Sequence, residues 1–282
     1  MKPVALVVGA GGQLGQATCA QASAAFEIVA ATRAELDVTS AADIGPFVRR
    51  VGPAVVINCS AYTNVDGAED DPVSAIDVNA VAVAALARAA AIVGATFVHY
   101  STDFVFDGHI DRPYVETDEP NPRGAYGLSK LLGEWLAADA PRHYVLRVES
   151  LFGGTKAQSS IDRILAQLRK NEPVRAFADR TVSPSFVDDV VRATVALIEG
   201  EAPAGLYHCV NSGWTTWEGL ARELARCVDR PETLIEAVPM SAAKLRADRP
   251  LFAALSNQKL IDAGVPMPEW QDAIATYVAR GL

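Results

Sequence analysis

The stretch VALVVGAGGQLGQ, at positions 4–16, decides the fold of this chain. A short apolar run is followed at once by glycines spaced GxxGxxG and then by a segment with helical character. This order predicts a buried strand, a tight glycine turn and a helix whose N-terminus holds a dinucleotide pyrophosphate. A glycine-rich turn without a ligand is the alternative, and the strand–helix units that follow favour the binding site. The loop residues predicted to contact the cofactor are Gly9, Gly12, Gln13, Leu14 and Gly15.

Short, fully apolar runs alternate with Ala- and Leu-rich helical segments through the first half of the chain. Strands are predicted at 4–9, 26–32, 54–60, 96–101 and 143–148, and helices at 13–25, 74–94 and 125–139. Apolar strands separated by helices predict an α/β fold with a Rossmann-type, doubly wound parallel sheet.

The pattern is looser after residue 150. Helices are predicted at 159–171, 186–200 and 215–228, short strands at 173–177 and 205–210, and a Pro-rich tail follows. We expect residues 1–150 to form a dinucleotide-binding domain and residues 151–282 to form mainly a smaller substrate lobe, with some of its elements rejoining the main sheet.

Composition excludes several classes of protein. Half of the 282 residues are hydrophobic and 21% are charged, which is a globular composition. A net charge of −9 argues against a nucleic-acid or anionic-membrane partner. The four cysteines form no CxxC motif, so reduced thiols in the cytoplasm are expected. The N-terminal apolar run is too short for a signal peptide, and no segment is expected to span a membrane.

The ends of the second and third predicted strands supply further candidate cofactor contacts. The second strand ends in Thr32–Arg33, without the acid that binds the ribose 2′-OH in many NAD proteins. Arg33 suits a 2′-phosphate, which favours NADPH over NADH, although a solvated surface charge is an equal alternative. The remaining predicted cofactor residues are Asp37 and Val38 near the adenine, Cys59, Ser60 and Ala61 after the third strand, and Tyr126 and Lys130 farther along the chain, where the lysine ammonium can bind the nicotinamide ribose hydroxyls.

A candidate catalytic group lies in AYGLSK at positions 125–130. Tyr126 and Lys130 lie one turn apart if the segment is helical, and Thr102 ends the fourth strand. Reduction of a ketone needs a proton donor, and a phenol serves if a neighbouring ammonium lowers its pKa. The Thr102 hydroxyl offers a second donor for the carbonyl oxygen. These groups suit hydride transfer at a C–O carbon.

The sequence resembles the extended short-chain dehydrogenase/reductases and, within them, the dTDP-4-dehydrorhamnose reductase family. The resemblance covers almost the whole chain, and STDFVFDG (101–108) followed by ETDEPNPRGAYGLSK (116–130) is its most specific part. It implies NAD(P)H-dependent reduction of the 4-keto group of a nucleotide-linked 4-keto-6-deoxy-sugar, and it is compatible with a homodimer. The implied catalytic residues are Thr102, Tyr126 and Lys130, and the implied substrate contacts are Thr102, Asp103, Val105, Phe106, Tyr126 and Ser150.

Three departures from the family pattern bear on this prediction. RVESLFG has Ser150 where the family often has a Trp that faces the sugar, so the identity of the sugar stays open. The tail motif RPLFAAL has Phe252 and Ala253 in place of more polar residues. Ala17 stands where some relatives carry a glutamate that supports a metal, and no metal site is predicted.

Two other functions remain open. A sugar-nucleotide dehydratase or epimerase is one, although Asp103 is followed by Phe104 rather than by a second acid. A non-catalytic, nucleotide-binding regulatory subunit is the other. For Asp103 a turn cap is an equal alternative to a substrate contact, and His99 is expected to have a core or surface role. A pyrophosphate contact for Arg163 or Arg180 is a lesser alternative to a helix cap near 159–163.

Overall fold

The computed structural model describes residues 1–156 and 159–280. The first half contains, in chain order, β1 (Val4–Val8), α1 (Gln13–Gln21), β2 (Glu27–Ala31), α2 (Ala41–Val51), β3 (Val55–Asn58), α3 (Val65–Asp70), α4 (Pro72–Ile76), α5 (Ala82–Val93), β4 (Thr96–Thr102), α6 (Ala125–Ala137) and β5 (His143–Val148). The second half contains β6 (Leu151–Phe152), α7 (Ser160–Arg169), β7 (Val174–Phe177), β8 (Thr181–Val182), β9 (Ser185–Phe186), α8 (Val187–Glu199), β10 (Gly205–His208), β11 (Thr215–Thr216), α9 (Trp217–Cys227), β12 (Ile235–Val238), α10 (Gln258–Asp262) and α11 (Trp270–Ala279).

Six strands form one parallel sheet in the order β2-β1-β3-β4-β5-β10. Successive side chains of a strand point to opposite faces, so Ala5 packs into one core layer and Leu6 into the other. The first layer includes residues of α1, α8 and α11, and the second includes residues of α2 and α5. The predicted doubly wound parallel sheet is therefore confirmed.

The order of strands reverses between β1 and β3, which is where open α/β sheets bind ligands. The carboxyl ends of the neighbouring strands meet at the same edge. At that edge Thr102 of β4 pairs in register with Val148 of β5. The residues that follow each of these strands are consequently brought close together.

The second half of the chain contributes β10 to the main sheet and otherwise forms small sheets of two strands. These pair β6 with β9, β7 with β12, and β8 with β11. The strands of these small sheets follow β5 in the chain, and β6 comes directly after β5.

The helix predicted at 74–94 is interrupted. A π-helical segment, Asp77–Val81, joins α4 to α5. Within it the buried Asn79 side chain binds both the N–H and the C=O of Tyr62, at 2.9 and 3.1 Å, and the Ser129 hydroxyl at 2.9 Å. The irregular segment thus presents an amide that a regular helix would not place against this loop.

The helical stretch Pro72–Val93 is also long and apolar enough to cross a membrane by length and composition, and half of it is buried inside the protein. A buried core helix meets the same criterion, so the expectation that no segment spans a membrane stays a prediction. The buried half of this stretch packs against the sheet and α2, as a core helix does.

Candidate active site

A cleft of about 520 Å³ opens at the reversal point of the sheet. It is bounded by the turn after β1, the end of β2 and the end of β3. Eight of the predicted cofactor residues line it, namely Gly9, Gly12, Arg33, Asp37, Val38, Cys59, Ser60 and Ala61. Leu36, Tyr62 and Asp77 also line the cleft and were not predicted.

The glycine turn brings the backbone of β1 against that of β3. Gly9 has a φ of +75°, and a Cβ there would lie 2.6 Å from the Ser60 backbone nitrogen. A side chain at position 9 would therefore fill the floor of the cleft. This narrow, backbone-lined floor fits the close approach of a pyrophosphate, so the residues present fit a dinucleotide.

Three predicted loop contacts have other roles. A Cβ on Gly15 would lie 2.3 Å from the Gly9 carbonyl oxygen, so this glycine allows α1 to pack on the turn. The Leu14 side chain is buried in the core. The Gln13 amide donates to the Gly153 carbonyl at 2.8 Å, which ties α1 to the loop after β6. None of the three lines the cleft.

Arg33 lines the cleft just after β2. Its side chain is 82% exposed, and its Nε lies 3.2 Å from Asp37 Oδ2. Asp37 is itself fixed by the backbone N–H and hydroxyl of Thr39, at 3.0 and 2.7 Å. Arg33 is therefore tethered at the rim and has room for a second anionic partner.

Thr102 and Asp103 lie at the carboxyl end of β4 and are both buried. The Thr102 hydroxyl donates to Asp103 Oδ1 at 2.9 Å and accepts the N–H of Phe104 at 3.2 Å. Asp103 Oδ2 is a buried oxygen with no hydrogen-bond partner among the described residues. Asp103 is therefore buried at the end of β4, and its two predicted roles, a local turn cap and a substrate contact, both stay predictions.

A second buried acid lies beside Asp103. Glu149 follows β5, and its Oε2 accepts the Ser183 N–H at 2.6 Å, while Oε1 has no partner among the described residues. The buried Arg180 lies 3.9 Å from Asp103 Oδ2. Burial raises the pKa of Asp103 to about 6 against the opposing Arg180 charge. Burial and the Asp103 charge hold the pKa of Glu149 well above its usual range.

Tyr126 lies in the first turn of α6 and is half-buried, edge-on to the Phe104 ring at 5.5 Å. Burial and the nearby Asp103 carboxylate raise the pKa of its phenol, and a hydrogen bond with Thr102 opposes that rise. The Lys130 ammonium was expected to lower the pKa of Tyr126, and it does not do so in this structure. The phenol is therefore fully protonated at neutral pH, as a proton donor must be.

Lys130 lies one turn after Tyr126 and is buried. Its Nζ donates to the Tyr100 carbonyl at 2.6 Å and lies 3.3 Å from His99 Nε2. Burial lowers the pKa of Lys130 to about 8, against the opposing charge of Glu134. His99 has a satisfied core position, as one of its two predicted alternatives stated.

Two predicted substrate contacts, Val105 and Phe106, are wrong because both side chains are buried, and a third, Ser150, lies apart from the clefts. Val105 and Phe106 are fully buried, and Phe106 stacks on Tyr114 with ring centroids 3.9 Å apart. They belong to the core beneath the site and present no surface to a substrate. Ser150 has a left-handed backbone, with a φ of 47°, just after β5, and it lines none of the clefts described in this subsection.

A separate cavity of about 480 Å³ lies in the second half of the chain. It is lined by four arginines, Arg163, Arg175, Arg180 and Arg249, together with Trp217 and the start of α7. The Trp217 indole N–H is buried without a partner among the described residues. Because Arg180 also approaches Asp103, this cavity adjoins the predicted catalytic residues.

Sequence patterns did not reveal Glu149, Arg249 or the Asn58–His99 pair as site residues. Asn58 is the last residue of β3 and His99 lies within β4, so both stand in strands that the sequence predicted. Glu149 and Arg249 stand in the quoted segments RVESLFG and RPLFAAL, but the contacts that bring them to the site join distant parts of the chain. Within residues 1–156 and 159–280, no group of three or more His, Cys, Asp or Glu side chains is arranged to hold a metal ion.

Comparison with known proteins gives concordant results. The family model described as "RmlD substrate binding domain" matches residues 1–282. A dTDP-4-dehydrorhamnose reductase of Burkholderia thailandensis is 33% identical, with 97% of each chain covered. One of Mycobacterium tuberculosis is 36% identical over 97% of this chain and 92% of the relative.

Solved structures agree. The dTDP-4-dehydrorhamnose reductase of Bacillus anthracis in complex with NADP has a TM-score of 0.93 at 27% identity, covering 99% of this chain and all of that one. A UDP-glucose 4-epimerase of Thermus thermophilus has a TM-score of 0.82 at 20% identity, with 98% of each chain covered, and so shares the fold.

Proposed function

Because the chain belongs to the dTDP-4-dehydrorhamnose reductase family, we propose that it reduces the 4-keto group of a nucleotide-linked 4-keto-6-deoxy-sugar with NADPH. The observation that carries this proposal is the convergence of Thr102 and Tyr126 at the carboxyl edge of the sheet, one strand away from a backbone-lined dinucleotide cleft. That edge is where open α/β sheets perform their chemistry.

The cofactor is assigned to the cleft at the reversal point. Gly9, Gly12 and Ser60 would hold the pyrophosphate, and Arg33 would meet a 2′-phosphate, which makes NADPH the preferred cofactor and NADH the alternative. The Bacillus anthracis relative with NADP bound supports this assignment. When bound, the cofactor supplies a hydride to the carbonyl carbon.

Tyr126 supplies the proton. The phenol is protonated at neutral pH, and its O–H bond breaks as negative charge develops on the substrate oxygen. A carbonyl oxygen within reach of the Tyr126 and Thr102 hydroxyls would receive two hydrogen bonds, which stabilise the developing alkoxide. Thr102 must release Asp103 Oδ1, its present acceptor, to make that contact.

The four-arginine cavity is assigned to the nucleoside diphosphate of the substrate. Guanidinium groups recognise phosphate oxygens by charge-assisted hydrogen bonds. Arg175 and Arg249 already pair with Glu236 and Asp66, at 3.7 and 2.9 Å, whereas no carboxylate partner is seen for Arg163 in the described part of the chain. The unpartnered Trp217 N–H offers one further donor. On this proposal, residues 1–150 bind mainly the cofactor and residues 151–282 mainly the nucleotide-sugar.

A homodimer is proposed through an exposed apolar face on α4 and α6. Leu128 and Trp135 lie seven residues apart on one face of α6 and are 45% and 62% exposed, and Val73 of the adjacent α4 is 66% exposed. Sedimentation velocity of the full chain tests this proposal. A cytoplasmic location is proposed from the four free thiols, and cell fractionation tests it.

The deciding experiment is a turnover assay. The protein is incubated with NADPH, carrying deuterium at the transferable position, and a panel of 4-keto-6-deoxy-sugars linked to dTDP or UDP. We expect loss of the reduced-nicotinamide absorbance and transfer of deuterium to C4 of the sugar. A dehydratase or epimerase would change the sugar without net oxidation of NADPH, and a regulatory subunit would bind without turnover. Either outcome would overturn the proposal.

A further inference from the structure

Two buried acids leave the main sheet from neighbouring positions at its carboxyl edge. Thr102 of β4 pairs in register with Val148 of β5, and the next residue of the chain is Asp103 in one case and Glu149 in the other. Neighbouring strands of a sheet lie only ~4.8 Å apart. Asp103 is 2% exposed and Glu149 is 1% exposed, so the fold places two carboxyl groups together in the interior.

Each of these acids has one oxygen in a hydrogen bond and one oxygen without a partner. Asp103 Oδ1 accepts the Thr102 hydroxyl at 2.9 Å, and Glu149 Oε2 accepts the Ser183 N–H at 2.6 Å. Asp103 Oδ2 and Glu149 Oε1 are buried and have no hydrogen-bond partner among the described residues. Buried polar atoms in folded proteins are nearly always paired, so these two oxygens need a donor.

A single proton supplies both missing partners. A protonated carboxyl group donates through its O–H and still accepts at its carbonyl oxygen. Because Glu149 Oε2 already accepts from Ser183, the proton belongs on Oε1, which then donates toward Asp103 Oδ2. Two unpartnered acceptors thereby become one donor and one acceptor.

The charge of the cluster calls for the same proton. Arg180 is 8% exposed, and its Nη2 lies 3.9 Å from Asp103 Oδ2. Burial lowers the pKa of Arg180, and the charges of Asp103 and Glu149 oppose that change, so both acids act on this guanidinium. Two ionised acids and one cation would leave a net negative charge in the interior, which is costly. With one proton on the acids, the cluster is neutral.

We propose that Asp103 and Glu149 share one proton around neutral pH, and that Glu149 is a positioning residue that weakens the hold of Asp103 on the Thr102 hydroxyl. The role in catalysis rests on the proposed function, in which Thr102 must release Asp103 Oδ1 to reach the substrate oxygen. An Asp103 carboxylate that also accepts from Glu149 carries less free negative charge. It therefore binds the Thr102 proton less strongly and repels the developing alkoxide less.

Other charged groups surround Glu149. The titratable and charged side chains on β5, on the elements packed against β5 and β6, and on the loops that carry Asp103 and Arg180 are His99, Tyr100, Asp103, Tyr126, Lys130, Glu134, His143, Tyr144, Arg147, Asp162, Arg163, Arg169, Asp179, Arg180, Tyr207 and His208. Burial raises the pKa of Glu149 well above its usual range, the charge of Asp103 raises it further, and the charge of Arg180 opposes both. These directions agree with a proton held on Glu149.

The first test needs no substrate and so is independent of the proposed function. Carbon NMR of the full chain, labelled in the Asp and Glu carboxyl groups, follows each acid through a pH titration, with Asp103→Asn and Glu149→Gln used for assignment. We expect the pair to lose its protons in two separate steps and to carry one proton at neutral pH, with Glu149 protonated. Two ionised carboxylates at neutral pH, or two protonated ones, would overturn the inference.

Asp103→Asn also distinguishes a shared proton from the effect of burial alone. The asparagine removes the neighbouring negative charge and places an amide donor where Oδ2 now stands. The Glu149 midpoint should therefore fall by about one pH unit or more, a tenfold change in proton affinity. Asp107→Asn removes an acid of the same STDFVFDG motif that pairs with His109 at 3.5 Å, and its smaller shift measures the general field. Equal shifts in the two variants would overturn the inference.

The second test compares two substitutions of Glu149 in the turnover assay. Glu149→Gln keeps an oxygen for the Ser183 N–H and a donor for Asp103 at every pH, whereas Glu149→Met has similar length and no donor. We expect the glutamine variant to keep kcat within a few-fold of the wild type and the methionine variant to lose on the order of tenfold or more, the scale of one lost hydrogen bond to a charged group. The Kd of NADPH should be the same in both. Equal kcat values in the two variants would overturn the positioning role.

Discussion

Tyr126 is the residue on which the proposed chemistry depends most directly. Tyr126→Phe removes the proton donor and keeps the ring that packs edge-on against Phe104. We expect kcat to fall by on the order of 10²–10⁴, with NADPH affinity close to that of the wild type, because a positioned acid acts on the barrier rather than on cofactor binding. Single-turnover kinetics and a fluorescence titration with NADPH check the two parts. A near-normal kcat on the true substrate would remove Tyr126 from this role.

Arg33 tests the choice between the two cofactors. Arg33→Ala should weaken NADPH binding by ~1–2 kcal/mol, about 5–30-fold in Kd, and leave NADH almost unchanged, because only NADPH carries the 2′-phosphate. Calorimetric titration with both cofactors measures the difference. Arg88→Ala, an exposed arginine paired with Asp139, is the matched control. Equal weakening of both cofactors would show that Arg33 does not read the phosphate.

The residues that could be predicted from the sequence are those fixed by local chain geometry. Gly9, Cys59 and Ser60 follow directly from strand ends, and the structure brings them to one cleft. Val105 and Phe106 were wrongly predicted to contact the substrate. The STDFVFDG motif reaches the site with its first residues and then continues into the core beneath it. Glu149 and Arg180 meet Asp103 only through folding, so no spacing in the sequence indicates them.

At the scale of elements, α1 packs closely on the glycine turn that lines the cleft. A Cβ on Gly15 would lie 2.3 Å from the Gly9 carbonyl and 2.8 Å from the Ala10 Cα, both backbone atoms that cannot move aside without shifting the turn. Gly15→Ala should destabilise the protein by roughly 1–3 kcal/mol and weaken NADPH, because overpacking displaces the helix N-terminus. Urea unfolding and cofactor titration measure both effects.

Gly45 provides the control for that substitution. It lies inside α2, and a Cβ there would meet only the end of the Arg49 side chain, at 3.4 Å. Gly45→Ala should be neutral or stabilising by up to about 1 kcal/mol, since alanine has the higher helix propensity. If the two substitutions had the same effect, the close approach at Gly15 would not be what matters.

Elements were predicted best where apolar runs were short and continuous. All five strands predicted in the first half occur, and β5 matches its predicted range, His143–Val148. No helix was predicted at Ala41–Val51, a stretch in which Gly45 and Pro46 lower the helix propensity. Burial of Ile44 and Val48 against the sheet and a left-handed cap at Gly52 stabilise α2 despite them.

At the scale of the whole molecule, the two halves of the chain meet over a small group of buried charges. Asp103 ends the β4 edge, Glu149 follows β5, and Arg180 comes from the second half. Both acids are buried near one cation, and among the described residues neither Asp103 Oδ2 nor Glu149 Oε1 has a hydrogen-bond partner. Such an arrangement costs stability when both acids are ionised.

The sign of the resulting pH dependence follows from the raised pKa values. The folded protein holds protons on these acids more tightly than the unfolded chain does. The pKa of Asp103 is raised from 3.8 to about 6, and the pKa of Glu149 is raised from 4.5 to well above that value. Stability contributed by these groups is therefore present at low pH and is lost as pH rises through the folded values. Exposed acids such as Asp66, whose pKa is lowered to about 2, act in the opposite sense only below about pH 4.

The buried His99 and His208, whose pKa values burial lowers, act in the opposite sense as pH rises toward the usual histidine value, so a comparison of variants is needed to isolate the buried acids. Glu149→Gln keeps the shape of the protonated acid and cannot ionise, so we expect its free energy of unfolding to increase relative to that of the wild type by roughly 1–3 kcal/mol between about pH 5 and pH 8. Urea unfolding at several pH values measures both curves, with the exposed Glu172→Gln as a control for the loss of one charge. A Glu149→Gln curve that parallels that of the wild type would mean that Glu149 does not bind its proton more tightly in the folded protein than in the unfolded chain.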